Sequence, residues 1–208
     1  TPPWATRAFV EHVLVPELGA LETDVILEPC CNRGCMAVPL AERFVVRTSD
    51  IHDYGWAGQQ QVRDFLIDFP EDFDRETVPH WVVANPPFRL AVDFIEKGLR
   101  VARRGVAVLV RSAFGEGIER FERLYRGNPP TIIAFYVERV PMVRGRYDPD
   151  ASSATAYVWM CWARDQPPRA PVWIPPCRKL MERSSDMDFA VRAEPEVVEC
   201  PLLDEAQP

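Results

Sequence analysis

Lysine is nearly missing from this chain. Of its 24 basic residues only Lys97 and Lys179 are lysines, and the three histidines, His12, His52 and His80, lie far apart. Histidines so dispersed, with no C-x-x-C pair among the six cysteines, supply no ligand set for zinc, and no metal is expected. Cys30, Cys31 and Cys35 form the only close cysteine group, and small apolar thiols at that spacing suit a tight buried turn. The start of the chain lacks the basic-then-apolar layout of a signal peptide, so a disulfide framework is not expected either. No apolar run approaches the ~20 residues that span a bilayer, and a cytoplasmic location is expected. The chain opens on Thr1 rather than methionine, which is compatible with a leader having been removed. No internal repeat is visible.

Base is also outweighed by acid. A formal charge of -7 and a pI near 5.1 disfavour a protein that grips nucleic acid by bulk electrostatics. The charges are unevenly placed, however. Arginines gather at Arg100, Arg103 and Arg104 and again at Arg139, Arg144 and Arg146, while acids collect between Asp64 and Glu76 and near the C-terminus. Arginine forms bidentate contacts with phosphate and stacks on bases, so a local basic rim on an acidic body is compatible with this pattern, as is a solvated surface of scattered ion pairs.

What is present is alternation. The 208 residues suit one domain with one core. Short apolar runs at 25–27, 44–48, 62–67, 81–84, 106–110, 131–137 and 155–162 read as seven strands. Helical spacing is expected over 4–18, 36–43, 89–103 and 116–125, with Pro39 confining or kinking the second. Strands alternating with helices predict an α/β fold, a mostly parallel sheet with helices on both faces. The last two strands have only residues 138–154 between them and are expected as an antiparallel pair at one edge, joined by a loop of functional length. Residues 1–164 form the expected folded domain, and 165–208 turn proline-rich and then acidic, an expected irregular tail.

Asn85-Pro86-Pro87-Phe88 closes the fourth apolar run. Ligands of open α/β sheets bind beyond the carboxyl ends of strands, so these residues fall where a substrate would sit. Two prolines fix the backbone and offer no N–H, leaving carbonyl oxygens as acceptors. An amide beside them can hold both hydrogens of an NH2 group, and Phe88 offers a face for a planar base. A strand end turning rigidly into a helix would use the same residues.

The first strand runs into Glu28-Pro29-Cys30-Cys31-Asn32-Arg33-Gly34, a glycine-bearing turn ahead of a helix, where nucleotide-like cofactors lie. It is neither G-x-G-x-x-G nor a phosphate-cradling loop with a Lys-Ser/Thr pair. Glu28 suits a cofactor with cationic groups. Asp50 ends the second strand, where an acid commonly takes ribose hydroxyls, and Asp64-Phe65 pairs an acid for an amine with a ring for a face.

In this order the residues resemble the class I S-adenosylmethionine-dependent methyltransferases, specifically the DNA N6-adenine methyltransferases with the N-P-P-[YF] signature, of the compact kind seen in phages and prophages. The similarity covers Thr1 to about Trp162. Thr1-Pro2-Pro3-Trp4 resembles the cofactor-binding segment ahead of the first strand, and Glu28, Pro29, Asn32 and Gly34 resemble the methyl-donor loop, with Cys30-Cys31 in place of the usual small residues. The resemblance implies a Rossmann-like fold and S-adenosylmethionine as cofactor, held also by Asp50, Ile51, Asp64 and Phe65. It implies direct in-line methyl transfer to an exocyclic amino nitrogen, adenine N6 in DNA, with Asn85, Pro86, Pro87 and Phe88 as catalytic residues. A flipped base would stack on Phe88, and Arg89, Arg139, Arg144 and Arg146 would hold phosphates. No target-recognition domain follows the catalytic part, so a separate recognition partner fits. Related enzymes methylate RNA bases or a protein glutamine amide, and the acidic charge favours that alternative. An idle cofactor-binding subunit would have lost the acceptor tetrapeptide. A nucleotide-binding oxidoreductase would need other glycine spacing.

Overall fold

The computed structural model describes residues 1–67, 78–143 and 146–190. Eight strands form one sheet: β1 (Val25–Glu28), β2 (Val45–Asp50), β3 (Gln61–Val62), β4 (Trp81–Ala84), β5 (Gly105–Arg111), β6 (Ile132–Tyr136), β7 (Tyr157–Ala163) and β8 (Val172–Ile174). Their order in space is β3-β2-β1-β4-β5-β7-β6-β8. Neighbours run parallel except that β7 is antiparallel to both β5 and β6. Strand order reverses between β1 and β4, the switch point at which sheets of this kind open a crevice.

Burial on both faces explains the near-continuous apolar strands. Val106, Val108 and Val110 of β5 pack with Val82 and Ala84 on one face, while Ala107 and Leu109 join Trp81 and Val83 on the other. The first of these faces is covered by α3 (Ala91–Val101), whose Ala91, Phe94 and Ile95 enter the same cluster. The opposite face is covered by α1 (Pro3–Phe9), started by Pro3 and continued as a wider π-helical turn, Val10–Leu14. Phe9 stacks on Trp159 of β7 with ring centroids 3.9 Å apart. The remaining α-helices are short: α2 (Ala37–Ala41), α4 (Ile118–Arg120), which continues as a π-helical turn over Phe121–Tyr125, and α5 (Arg178–Met181). Gly105 is required where β5 begins, because a Cβ there would lie 2.1 Å from the Trp162 carbonyl oxygen.

Two features differ from the sequence reading and one agrees with it. The run at 62–67 is a strand only at Gln61–Val62, since the Asp64 side chain accepts the Leu66 N–H at 2.8 Å and turns the chain. The expected antiparallel pairing of the last two long strands is present, with β7 slotted between β5 and β6. An eighth strand arises in the proline-rich segment: β8 adds to β6, and residues 177–190 fold back onto α1. A buried bidentate pair fixes that return, with Arg7 donating to Asp186 at 2.8 and 2.9 Å. Among the described residues no helix is long and apolar enough to cross a membrane.

Candidate active site

The carboxyl ends of β1, β2, β4 and β5 open onto one cavity of about 740 Å3, and the antiparallel β7 contributes its N-terminal end. Cavities of roughly this size take a cofactor or substrate. One wall is the turn after β1. Its chirality is set by Asn32 and Gly34, both with positive φ (49° and 83°). The Cys31 N–H donates to the Ser49 carbonyl at 3.0 Å and the Asn32 N–H to Asp50 Oδ2 at 2.9 Å, which locks the turn to the end of β2. Asp50 Oδ1 accepts the His52 N–H at 3.2 Å. Each Asp50 oxygen therefore carries one backbone bond and retains acceptor capacity.

Glu28 stands beside it, only 2% exposed, and its Oε2 accepts no hydrogen bond among the described residues. Burial pushes this carboxyl well above the usual carboxylate range, and the charge of Asp50 adds to the rise. A buried acceptor without a partner is costly, and a cationic ligand group would satisfy it. Three thiols share the wall. Burial pushes Cys31 up to about 12 and raises Cys30 and Cys35 too, so all three are protonated near neutral pH and are poor nucleophiles.

The other wall begins where β4 ends. Asn85 Nδ2 donates to Thr1 Oγ1 at 2.9 Å and approaches Met142 Sδ at 3.7 Å, while its Oδ1 accepts no hydrogen bond among the described residues. The Pro87 carbonyl is taken by the Leu90 N–H, and that of Pro86 accepts none among the described residues. Phe88 is 37% exposed, with the Arg111 guanidinium 4.7 Å from its ring centroid and Tyr157 at 6.3 Å. The wall thus offers fixed acceptors beside an aromatic face.

Of the residues singled out from sequence, Thr1, Glu28, Pro29, Asn32, Asp50, Ile51, Asp64, Phe65, Arg146 and Asn85 to Phe88 line this cavity. Trp4 does not. It is fully buried in the core, edge-on to Tyr136 at 6.0 Å. Gly34 supports the turn from behind, where any Cβ would come 2.3 Å from the Trp56 indole. Arg89 is exposed on the 3-10 turn Phe88–Leu90, and Arg139 lies in a separate shallow cleft with Ser152 and Ser153. Arg144 falls outside the described residues. Arg146 reaches the cavity while paired with Asp148 at 3.0 Å. Sequence reasoning missed Arg111, Met142 and Tyr157. Arg111 ends a parallel strand, the same signal that marked Asn85, and Tyr157 is its antiparallel register partner.

Comparison with family models gives no match, and no curated protein matches the sequence. Solved structures match by shape. The modification subunit of a candidate type I restriction enzyme from Vibrio vulnificus YJ016 is 16% identical, with a TM-score of 0.53 over 90% of this chain and 51% of its own. A type I restriction-modification methyltransferase subunit from Streptococcus thermophilus is 9% identical, with a TM-score of 0.59 over 89% of this chain and 49% of its own. A candidate class I S-adenosylmethionine-dependent methyltransferase from Listeria monocytogenes is 14% identical, with a TM-score of 0.51 over 82% of this chain and 64% of its own. The chain spans about half the length of the two restriction subunits and under two thirds of the third protein. The fold is therefore the Rossmann-like fold of the class I methyltransferases.

Proposed function

We propose that the protein transfers a methyl group from S-adenosylmethionine to an exocyclic amino nitrogen, adenine N6 in DNA, as an enzyme of the N-P-P-[YF] type. The observation that carries this reading is Asn85. Its amide nitrogen is held by Thr1 and Met142, and its oxygen accepts no hydrogen bond among the described residues, in the same cavity as Glu28 and Asp50.

The donor-side residues fit the cofactor. Glu28 Oε2 is buried without a hydrogen-bond partner among the described residues, and its ionised form would suit an α-ammonium group, while Asp50 keeps lone pairs for ribose hydroxyls. Asp64 and Phe65 supply an acid and a ring for the adenine. When bound, S-adenosylmethionine supplies an electrophilic methyl group.

The chain's own residues do the rest. Asn85 Oδ1 and the Pro86 carbonyl accept the two amino hydrogens, which favours a pyramidal nitrogen whose lone pair leaves conjugation with the ring. Because Thr1 and Met142 already orient the amide, little reorganisation is needed, and catalysis is chiefly positioning. Phe88 offers its face to a base flipped from the stack. The protonated thiols take no part. DNA as the acceptor is supported by the restriction-modification subunits among the matched structures. The net charge of -7 favours a second reading, an RNA base or a glutamine amide methylated by the same chemistry.

The test is mass-spectrometric analysis after incubating the protein and methyl donor with DNA, RNA and glutamine peptides separately. N6-methyladenine in the DNA digest is expected. Methylated peptide or RNA alone would move the reading to its second form, and no product in any arm would end it.

A further inference from the structure

The segment after β8 connects two distant parts of the molecule. Its far end is anchored on α1, where Asp186, 1% exposed, takes both terminal nitrogens of the buried Arg7. Its near end clasps the loop after β6. Glu138 Oε2 accepts the N–H of Cys177 at 2.6 Å and of Arg178 at 2.8 Å, and Arg178 also donates to the Pro149 carbonyl. Tyr147 completes the clasp: its N–H donates to the Phe189 carbonyl at 2.9 Å and its hydroxyl to Glu182 at 2.8 Å. The same loop carries Met142 and Arg146 into the cavity, and Met142 Sδ meets the Asn85 amide. The segment therefore ties the Arg7–Asp186 pair to Glu138 and Tyr147 of the loop whose Met142 meets Asn85.

We infer that residues 177–189 are a positioning strap, which holds the loop at 138–143 and 146–154 against Asn85 and so fixes the orientation of its amide. A loop of this length has many conformations of its own, and bonds at both of its ends restrict it to the one that presents Met142. Glu138, Tyr147 and Arg178 are positioning residues. None of them lies on the cavity wall. The catalytic consequence rests on the methyl-transfer reading, but the geometric one does not.

The experiment compares full-length wild type with Glu138→Ala, Glu138→Gln and an Arg123→Ala control in the exposed ion cluster across the molecule. In Glu138→Ala, amide hydrogen exchange over 138–143 and 146–154 should rise about tenfold while β1 and β4 keep their protection. The side-chain amide resonance of Asn85 should shift, and kcat should fall about tenfold with donor affinity within about twofold of wild type. Glu138→Gln keeps an oxygen for both N–H groups and should restore most of each effect. If Glu138→Ala does not fold, Tyr147→Phe carries the same comparison with smaller changes. A folded variant with unchanged exchange and an unmoved Asn85 resonance overturns the strap, and so does loosened exchange with full kcat. A wild type that methylates no acceptor ends the methyl-transfer reading instead, while the exchange and resonance data still decide the strap.

Discussion

The turn Glu28 to Gly34 with Asp50, which we propose as the donor wall, and Asn85 to Phe88 with Met142, Arg111 and Tyr157, which we propose as the acceptor wall, border one cavity but are held in different ways. The donor wall is local: a turn of seven residues is bonded by its backbone to the end of the adjacent strand, and Asp50 is both the lock and the free acceptor. The acceptor wall is assembled from afar, since Thr1, Met142, Arg111 and Tyr157 come from separate parts of the chain. A local wall resists damage elsewhere in the molecule. An assembled wall depends on whatever holds its pieces, so the two should respond differently to the same kind of substitution.

Asn85→Ala should separate them most strongly. Removing the amide should lower kcat by about 10²–10³, comparable to the loss of one preorganised hydrogen-bonding group, with donor affinity unchanged by calorimetry. Activity near wild type would mean that the acceptor wall has been misidentified. Next in size is Asp50→Ala, which removes charge-assisted bonds worth about 1.5–3 kcal/mol each and should weaken donor binding about 10- to 100-fold. Asp148→Ala, whose partner is Arg146, should change it less than about twofold; equal losses would show that the donor does not lie along β2.

A third effect is one of pH. The Glu28 carboxyl of the free protein keeps a proton that the unfolded chain releases. Stability should therefore fall as pH rises from the ordinary carboxylate range toward the raised value, and Glu28→Gln should flatten that slope in thermal midpoints. A cationic donor favours the ionised carboxyl, so binding should release a proton and tighten with pH over the same interval. Proton release of zero, measured by calorimetry in buffers of different ionisation enthalpy, would remove Glu28 from the site. The smallest effect belongs to Arg111→Ala. Its contact with the half-exposed Phe88 ring is worth about 0.5–1 kcal/mol, so KM for a nucleic-acid acceptor should rise only a few-fold. A change in donor affinity instead would blur the two walls.

The same distinction marks what could be read from the residues alone. Strand ends carry ligands in open α/β sheets, so Glu28, Asp50 and Asn85 were legible from where apolar runs stop. Side chains that arrive from loops leave no such mark, and Met142 has no periodicity or turn chemistry to announce it. Trp4 lies three residues from Thr1, which lines the cavity, yet its large ring is buried against Tyr136. The β8 strand was hidden because three residues flanked by prolines look like an irregular tail, and only the exposed edge of β6 makes them a strand. At Val62 a strand pattern continued on paper, but the Asp64 side chain offered its own backbone a better partner.

The slotting of β7 between β5 and β6 also sets a timetable for synthesis. β5 ends at Arg111, but its neighbour on that side begins only at Tyr157, and β6, made in between, has no place in the sheet until β7 arrives. Through that interval a strand apolar on both faces presents an open edge, which is where nascent chains associate wrongly. The strand pair that brings Met142 and Tyr157 to the cavity is thus also the one that seals the sheet, and the cavity cannot be complete before the edge of β5 is closed.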